Sequence, residues 1–139
     1  MTKALFDANV VLDILLERKP HVEPSAVAFA AIETGLAEGL LAGHAVTTIH
    51  YLIRKEMPAP KARRILSAIL RVLRVAPVDD DVIRVALGLP SPDFEDAVTA
   101  AAALQAGCDY IITRDPKGFA GSPVRFLAPE QFVPILRQR

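Results

Sequence analysis

The chain has 139 residues, 52% of them hydrophobic and 23% charged, a length and balance that fit one folded domain with a buried core. Its 16 basic and 16 acidic residues count against a uniformly basic nucleic-acid binder, and its single cysteine, Cys108, excludes an internal disulfide and a cysteine-rich zinc site. No stretch has the pattern of a signal peptide or of a membrane span, so a cytoplasmic location is expected.

Short apolar runs alternate with helical periodicities along the chain. In chain order, the pattern predicts a strand at residues 3–6, helices at 9–18 and 25–38 (the second ended by Gly39), a strand at 40–46, helices at 47–56 and 61–70, a strand at 71–77, helices at 79–87 and 93–106 (the second ended by Gly107), strands at 110–113 and 124–127, and a last helix from Pro129. This alternation predicts a parallel sheet covered by helices on both faces, an α/β three-layer fold in a single domain spanning residues 1–139.

Three aspartates fall near the carboxyl ends of predicted strands. Asp7 follows the first strand, Asp115 lies two residues past the fourth, and Asp96 begins the helix that leads into the fourth. In open α/β sheets ligands bind at this edge, so the three carboxylates converge if the first and fourth strands are neighbours. Clustered carboxylates repel one another unless a cation offsets them, and Mg²⁺ or Mn²⁺ prefers such oxygen ligands.

Each acid also has a purely structural interpretation. Asp7 could cap the next helix, and Asp93 and Asp96 could interact with a helix dipole behind Ser91 and Pro92. An aspartate followed by proline, as at residue 115, is common in turns. The joint placement of the acids, rather than any one position, therefore predicts a metal site.

Basic residues concentrate between positions 54 and 74, where the one acid is Glu56. The seven are Arg54, Lys55, Lys61, Arg63, Arg64, Arg71 and Arg74. The rest of the chain has more acids than bases, so a neutral protein could combine a basic face with an acidic centre. The basic residues could hold the backbone of a single-stranded nucleic acid, with binding that weakens steeply as salt rises, or they could be the solvated faces of two helices.

Three segments resemble the PIN-domain family, the class that includes the VapC-like toxins of bacterial toxin–antitoxin pairs. Residues 6–13 (FDANVVLD) resemble its opening strand, and residues 93–104, which begin DFEDAV, resemble its central acid-plus-alanine helix. Residues 110–115 (YIITRD), followed by Phe119, resemble its closing strand and acid. The resemblance covers nearly the whole chain and implies a sheet of order 3-2-1-4-5 with a metal-dependent ribonuclease centre.

The resemblance also implies roles for individual residues. Asp7, Asp96 and Asp115 match the family's acidic positions and are the expected catalytic and metal-binding residues, with Mg²⁺ or Mn²⁺ as the cofactor. The further candidates are Asp93 as a metal ligand, Asn9, Thr113 and His50 as supporting polar groups, and Arg114, Arg54, Lys55, Arg63 and Arg64 as RNA-binding residues. The family implies RNA as substrate, a homodimer and a small antitoxin protein as partner, and the lack of a long apolar run predicts no membrane association.

One position departs from the family pattern. The family usually has a glutamate on the helix after the second strand, in a threonine-x-x-glutamate pattern, and here Thr47 is followed at that spacing by His50. Histidine could bind a metal as a neutral ring, contact a phosphate as a cation, or be a packed residue of a degraded site. Asp93 or Asp13 could supply the missing negative charge.

Two other functional classes compete with the nuclease. A PIN-fold module that has lost catalysis could bind RNA or a protein partner, and the histidine at position 50 favours this alternative. A phosphotransfer domain could use Asp7 as its nucleophile. Haloacid-dehalogenase-like enzymes place a second aspartate two residues on, however, and that position here is Asn9.

Overall fold

Five parallel strands form the centre of the protein in the computed structural model, which describes residues 1–138. They are β1 (Lys3–Phe6), β2 (Glu38–Ala42), β3 (Arg74–Ala76), β4 (Tyr110–Ile112) and β5 (Arg125–Leu127). Their order is β3-β2-β1-β4-β5, which confirms the predicted sheet. Phe6 pairs with Ile112, so the carboxyl ends of β1 and β4 lie side by side.

Helices cover both faces of the sheet. They are α1 (Ala8–Leu15), α2 (Val22–Glu33), α3 (Gly43–Ile53), α4 (Ala59–Val72), α5 (Asp80–Leu87), α6 (Phe94–Gln105) and α7 (Pro129–Arg137), and a 3₁₀ turn spans Pro116–Phe119. The Phe6 ring of β1 packs edge-on against Phe29 of α2 at 6.4 Å and Phe132 of α7 at 6.2 Å between centroids. Helix α6 contacts β2 and β4 and packs on α5. The predicted three-layer fold is therefore confirmed.

The alanine-rich sequence of α6 explains how closely this helix approaches the sheet. Residues 97–103 are all buried, and five of these seven residues are alanine. Small side chains let a helix backbone lie near its neighbours without leaving cavities. Because α6 runs into β4, its first turn, with Asp96, is held at the carboxyl edge of the sheet.

The predicted end of the second helix is wrong. Helix α2 ends at Glu33, and Gly35, with φ of +80°, follows it in the left-handed conformation that ends helices. Gly39 is buried in β2 instead, where a Cβ would lie 2.7 Å from Leu73 Cδ2 and 2.9 Å from Ile32 Cγ1. A glycine serves a turn and a close approach equally well, so the sequence alone does not separate the two.

The predicted second strand, at residues 40–46, is also too long at its end. Gly43 already begins α3, so the strand stops at Ala42. None of the helices within residues 1–138 is both long enough and apolar enough to cross a membrane.

Candidate active site

Asp7 is held at the carboxyl end of β1 by the neighbouring strand. It is 8% exposed and is the N-cap residue of α1, yet its side chain makes no capping hydrogen bond. Thr113, just beyond β4, donates its hydroxyl to Asp7 Oδ2 at 2.9 Å and accepts the backbone N–H of Asp115 at 3.0 Å. Thr113 therefore links two of the predicted catalytic acids, and its hydroxyl proton orients the Asp7 carboxylate.

Asp96 and Asp115 meet beside Gly118. Asp96 lies in the first turn of α6, and Asp115 is the N-cap residue of the 3₁₀ turn. A Cβ built on Gly118 would overlap Asp96 Oδ2 and would lie 3.3 Å from Asp115 Oδ2. The two carboxylates thus converge on one small volume, although they come from different segments of the chain.

Burial and like charge perturb both inner acids. Burial raises the pKa of Asp7, and the negative charges of Asp115 and Glu95 raise it further, while the Thr113 hydrogen bond lowers it. Burial, followed by the charge of Asp7, raises the pKa of Asp96 to about 7. The remaining contributors to the Asp96 shift are Asp93, Asp115 and Glu95. Among residues 1–138, no basic side chain contributes to the pKa shift of either aspartate, so none of these residues offsets the negative charge at Asp7 and Asp96.

The chemistry of these donors fits a hard divalent cation. Carboxylate oxygens suit Mg²⁺ and Mn²⁺, and a cation at this edge would favour the ionised carboxylates against the burial and the mutual repulsion that raise the two pKa values. Within residues 1–138, no three acidic, histidine or cysteine side chains already form a ligand set for a metal ion. Mg²⁺ in proteins is usually held by one or two carboxylates together with several waters, so the three aspartates need not all contact the ion directly.

Asp93 is the N-cap residue of α6, which agrees with the structural interpretation of this residue from the sequence. Its Oδ1 accepts the backbone N–H groups of Glu95 at 2.8 Å and Asp96 at 3.2 Å, so it caps α6. The cap fixes the turn from which Asp96 projects. A further role for Asp93 as a metal ligand stays a prediction.

Asp13 does not belong to the acidic cluster. It is fully buried in α1, where its carboxylate accepts Arg114 Nε at 2.6 Å and Arg114 Nη2 at 3.3 Å, and lies 3.6 Å from Arg18 Nη1. Two arginines therefore neutralise the Asp13 carboxylate, which was one of the two residues expected to supply the negative charge missing at residue 50. Arg114, predicted to bind RNA, ties the segment after β4 to α1, and its side chain remains 32% exposed.

The two histidines of α3 have different surroundings. The His50 ring, at the position of the family's glutamate, has no hydrogen-bond or ion-pair partner within the described chain. His44, which sequence reasoning missed, lies with Nε2 3.3 Å from both the Glu95 carbonyl and Thr99 Oγ1 of α6. His44 follows the end of β2, so its place beside the sheet edge was a usable sequence signal.

The remaining candidates lie on the surface. Exposed Asn9 is 3.5 Å from Arg18 Nη1, and Arg54 donates to the Met57 carbonyl at 3.0 Å. Lys55 Nζ sits 4.9 Å from the centre of the Tyr51 ring. Arg63 and Arg64 are exposed on α4. Their RNA-binding roles stay predictions.

Comparison with known proteins shows the family of the chain. The model of the PIN domain matches residues 3–117, so the chain belongs to the PIN-domain family. It is 25% identical over 135 residues to Ribonuclease VapC1 of Aquifex aeolicus, covering 94% of this chain and 92% of that protein.

Solved structures show the same fold at low identity. VapBC2 from Rickettsia felis bound to a promoter DNA fragment matches with a TM-score of 0.72 and 11% identity, over 91% of this chain and 98% of that one. A toxin–antitoxin complex from Klebsiella pneumoniae matches with a TM-score of 0.68 and 21% identity, over 91% and 97%.

Because the pKa of Asp96 is raised, the stability of the metal-free protein should depend on pH. The folded state binds a proton near pH 7, and the unfolded chain binds it only near pH 3.8, so folding becomes more favourable as pH falls from 8 to 5. After allowance for solvent screening, we expect a gain of about 1–2 kcal/mol in the free energy of unfolding. Thermal unfolding in EDTA should show this gain in stability, and Asp96→Asn should reduce it; the part that remains would come from Asp7, whose pKa is also raised by burial. An unchanged pH dependence in the variant would contradict the assignment.

Proposed function

We propose that this protein is a Mg²⁺- or Mn²⁺-dependent endoribonuclease and the toxin of a toxin–antitoxin pair. The observation that carries the proposal is the group of three carboxylates at the carboxyl edge of a PIN-family sheet, formed by buried Asp7, half-buried Asp96 and exposed Asp115, in which burial and like charge raise the pKa values of Asp7 and Asp96. Ribonuclease activity is the named property of the Aquifex relative, which supports the same reaction class here. The chain as a whole is then one PIN domain acting in the cytoplasm.

The residues of the chain have separable tasks in this mechanism. Asp7, oriented by Thr113, and Asp96 with Asp115 would hold the ion. When bound, the ion supplies Lewis acidity that stabilises charge on the phosphate and lowers the pKa of a water. Asp93 fixes the backbone from which Asp96 projects. Asn9, Thr113 and His50 are the polar groups proposed to support the ion or the phosphate.

Binding of the substrate is assigned to basic side chains outside the acidic cluster. Arg54, Lys55, Arg63 and Arg64 would contact phosphates of single-stranded RNA, so affinity should fall steeply with salt. The Klebsiella complex supports a small antitoxin as the partner. A homodimer is proposed on the family resemblance.

The experiment that tests the proposal is cleavage of structured and single-stranded RNAs with Mg²⁺ or Mn²⁺, against EDTA. We expect metal-dependent cleavage that falls at least about a hundredfold in Asp96→Asn. Asp109→Asn is the matched control, because Asp109 is exposed just before β4, at the opposite end of that strand from the site, and its side chain accepts the Lys3 backbone N–H. Cleavage that survives EDTA would contradict the metal requirement.

The second candidate function is a PIN-fold module that binds RNA or a protein without cutting. The observation that favours it is His50, whose ring has no hydrogen-bond or ion-pair partner among residues 1–138 and which stands where the family resemblance implies a glutamate. Absence of cleavage by a folded protein that still binds RNA would select this function over the nuclease.

A further inference from the structure

Gly118 leaves room that the Asp96 carboxylate occupies. It is buried in the 3₁₀ turn, three residues after Asp115. A Cβ at this position would overlap Asp96 Oδ2, and it would lie 2.9 Å from Asp96 Cγ and 3.3 Å from Asp115 Oδ2. Any side chain at residue 118 would therefore displace Asp96 from its place beside Asp115.

Backbone conformation does not explain the glycine. Positive φ values occur at Gly35, Gly107 and Gly121, and Gly118 is not among the glycines with such a value. The backbone at 118 thus accepts an L-residue without conformational strain. The requirement for glycine here comes from the space that the carboxylate takes.

Ser91 connects the loop before α6 with the 3₁₀ turn through hydrogen bonds. Its hydroxyl lies 3.0 Å from the Gly118 carbonyl and 3.0 Å from the Asp93 carbonyl, and it accepts the Asp93 backbone N–H at 3.3 Å. The loop that leads into α6 is therefore joined to the 3₁₀ turn at the glycine itself. These hydrogen bonds connect the start of α6, which bears Asp96, with the 3₁₀ turn that follows Asp115.

We propose that Gly118 and Ser91 are positioning residues that set the separation of the Asp96 and Asp115 carboxylates, and with it the affinity of the site for a divalent cation. Gly118 acts by omitting a side chain, and Ser91 acts by holding the turn against the start of α6. The inference deepens the proposed nuclease function and rests on it for the cation.

The first test is Mn²⁺ binding by calorimetry, together with RNA cleavage, for wild type, Gly118→Ala and Ser91→Ala. We expect the Mn²⁺ dissociation constant of Gly118→Ala to rise at least about tenfold and cleavage to fall with it, with a smaller loss in Ser91→Ala. Gly88→Ala is the matched control, because a Cβ there meets only the Val85 carbonyl, at 3.6 Å, and φ is −91°. Wild-type Mn²⁺ affinity in folded Gly118→Ala would overturn the inference.

The second test is independent of the metal and of activity. In EDTA, Gly118→Ala should lower the melting temperature of the wild type by more than that of an Asp96→Ala variant, where the carboxylate is gone and the 3.3 Å approach to Asp115 Oδ2 remains. An equal loss of melting temperature in the wild-type and Asp96→Ala backgrounds would contradict a steric contact between residue 118 and the Asp96 carboxylate. A wild type that shows this coupling and binds Mn²⁺ but cuts no RNA would overturn the nuclease function alone, and one that binds no Mn²⁺ would overturn both proposals.

Discussion

Asp7→Asn is expected to reduce RNA cleavage by at least about a thousandfold, or about 4 kcal/mol of transition-state stabilisation. Asparagine has the same shape and its carbonyl still accepts the Thr113 hydroxyl that now lies 2.9 Å from Asp7 Oδ2. It removes the charge, however, and with it a hard ligand for the cation. Cleavage rates at saturating Mg²⁺ or Mn²⁺ would measure the loss.

The same substitution should leave the metal-free protein at least as stable as the wild type at pH 8. Burial and the charges of Asp115 and Glu95 raise the pKa of Asp7, so its ionised form destabilises the fold at this pH. Thermal unfolding in EDTA measures the effect, with Asp109→Asn as control. A variant that loses activity because it unfolds would contradict the functional assignment, as would one that keeps a tenth of wild-type cleavage.

Arg114→Met is expected to lower the free energy of unfolding by about 2–4 kcal/mol, because it leaves the Asp13 charge fully buried with only Arg18 nearby, at 3.6 Å. The figure is set below that of a wholly buried pair because the Arg114 side chain is 32% exposed. Urea unfolding at pH 7 would measure it. A loss below 0.5 kcal/mol, on the order of an exposed ion pair, would contradict this account.

The double variant Asp13→Asn/Arg114→Met separates folding from RNA binding. Removing both charges should recover much of the stability, since the buried carboxylate no longer needs a partner. If Arg114 also contacts RNA, as the sequence predicts, the double variant should still bind RNA more weakly than Asp13→Asn alone. Equal RNA affinity in these two variants would show that Arg114 does not contribute to RNA binding and acts only through its ion pair with Asp13.

Local patterns in the sequence predicted the sheet and the site segments. Alternating apolar runs and helical periodicity predicted a parallel sheet, and the motif resemblance implied its order. Asp7 directly follows an apolar run and Asp115 lies two residues past another, which predicts that both stand near strand ends. The ends of elements were less certain, as at Gly39, where local sequence does not distinguish a helix stop from a tightly packed strand residue.

The residue types of the candidate site could be identified from the sequence: three aspartates near strand and helix ends, no cysteine cluster, and a histidine where the family resemblance implies a glutamate. Which of these groups contact one another depends on the tertiary structure. Thr113 reaches Asp7 across 106 positions, and Arg114 reaches Asp13 across 101. His44 reaches Thr99 across 55 positions. Periodicity in the sequence shows which face of its own helix or strand a residue occupies. These contacts depend instead on strand register and on helix packing between distant segments, so they can be read only from the folded chain.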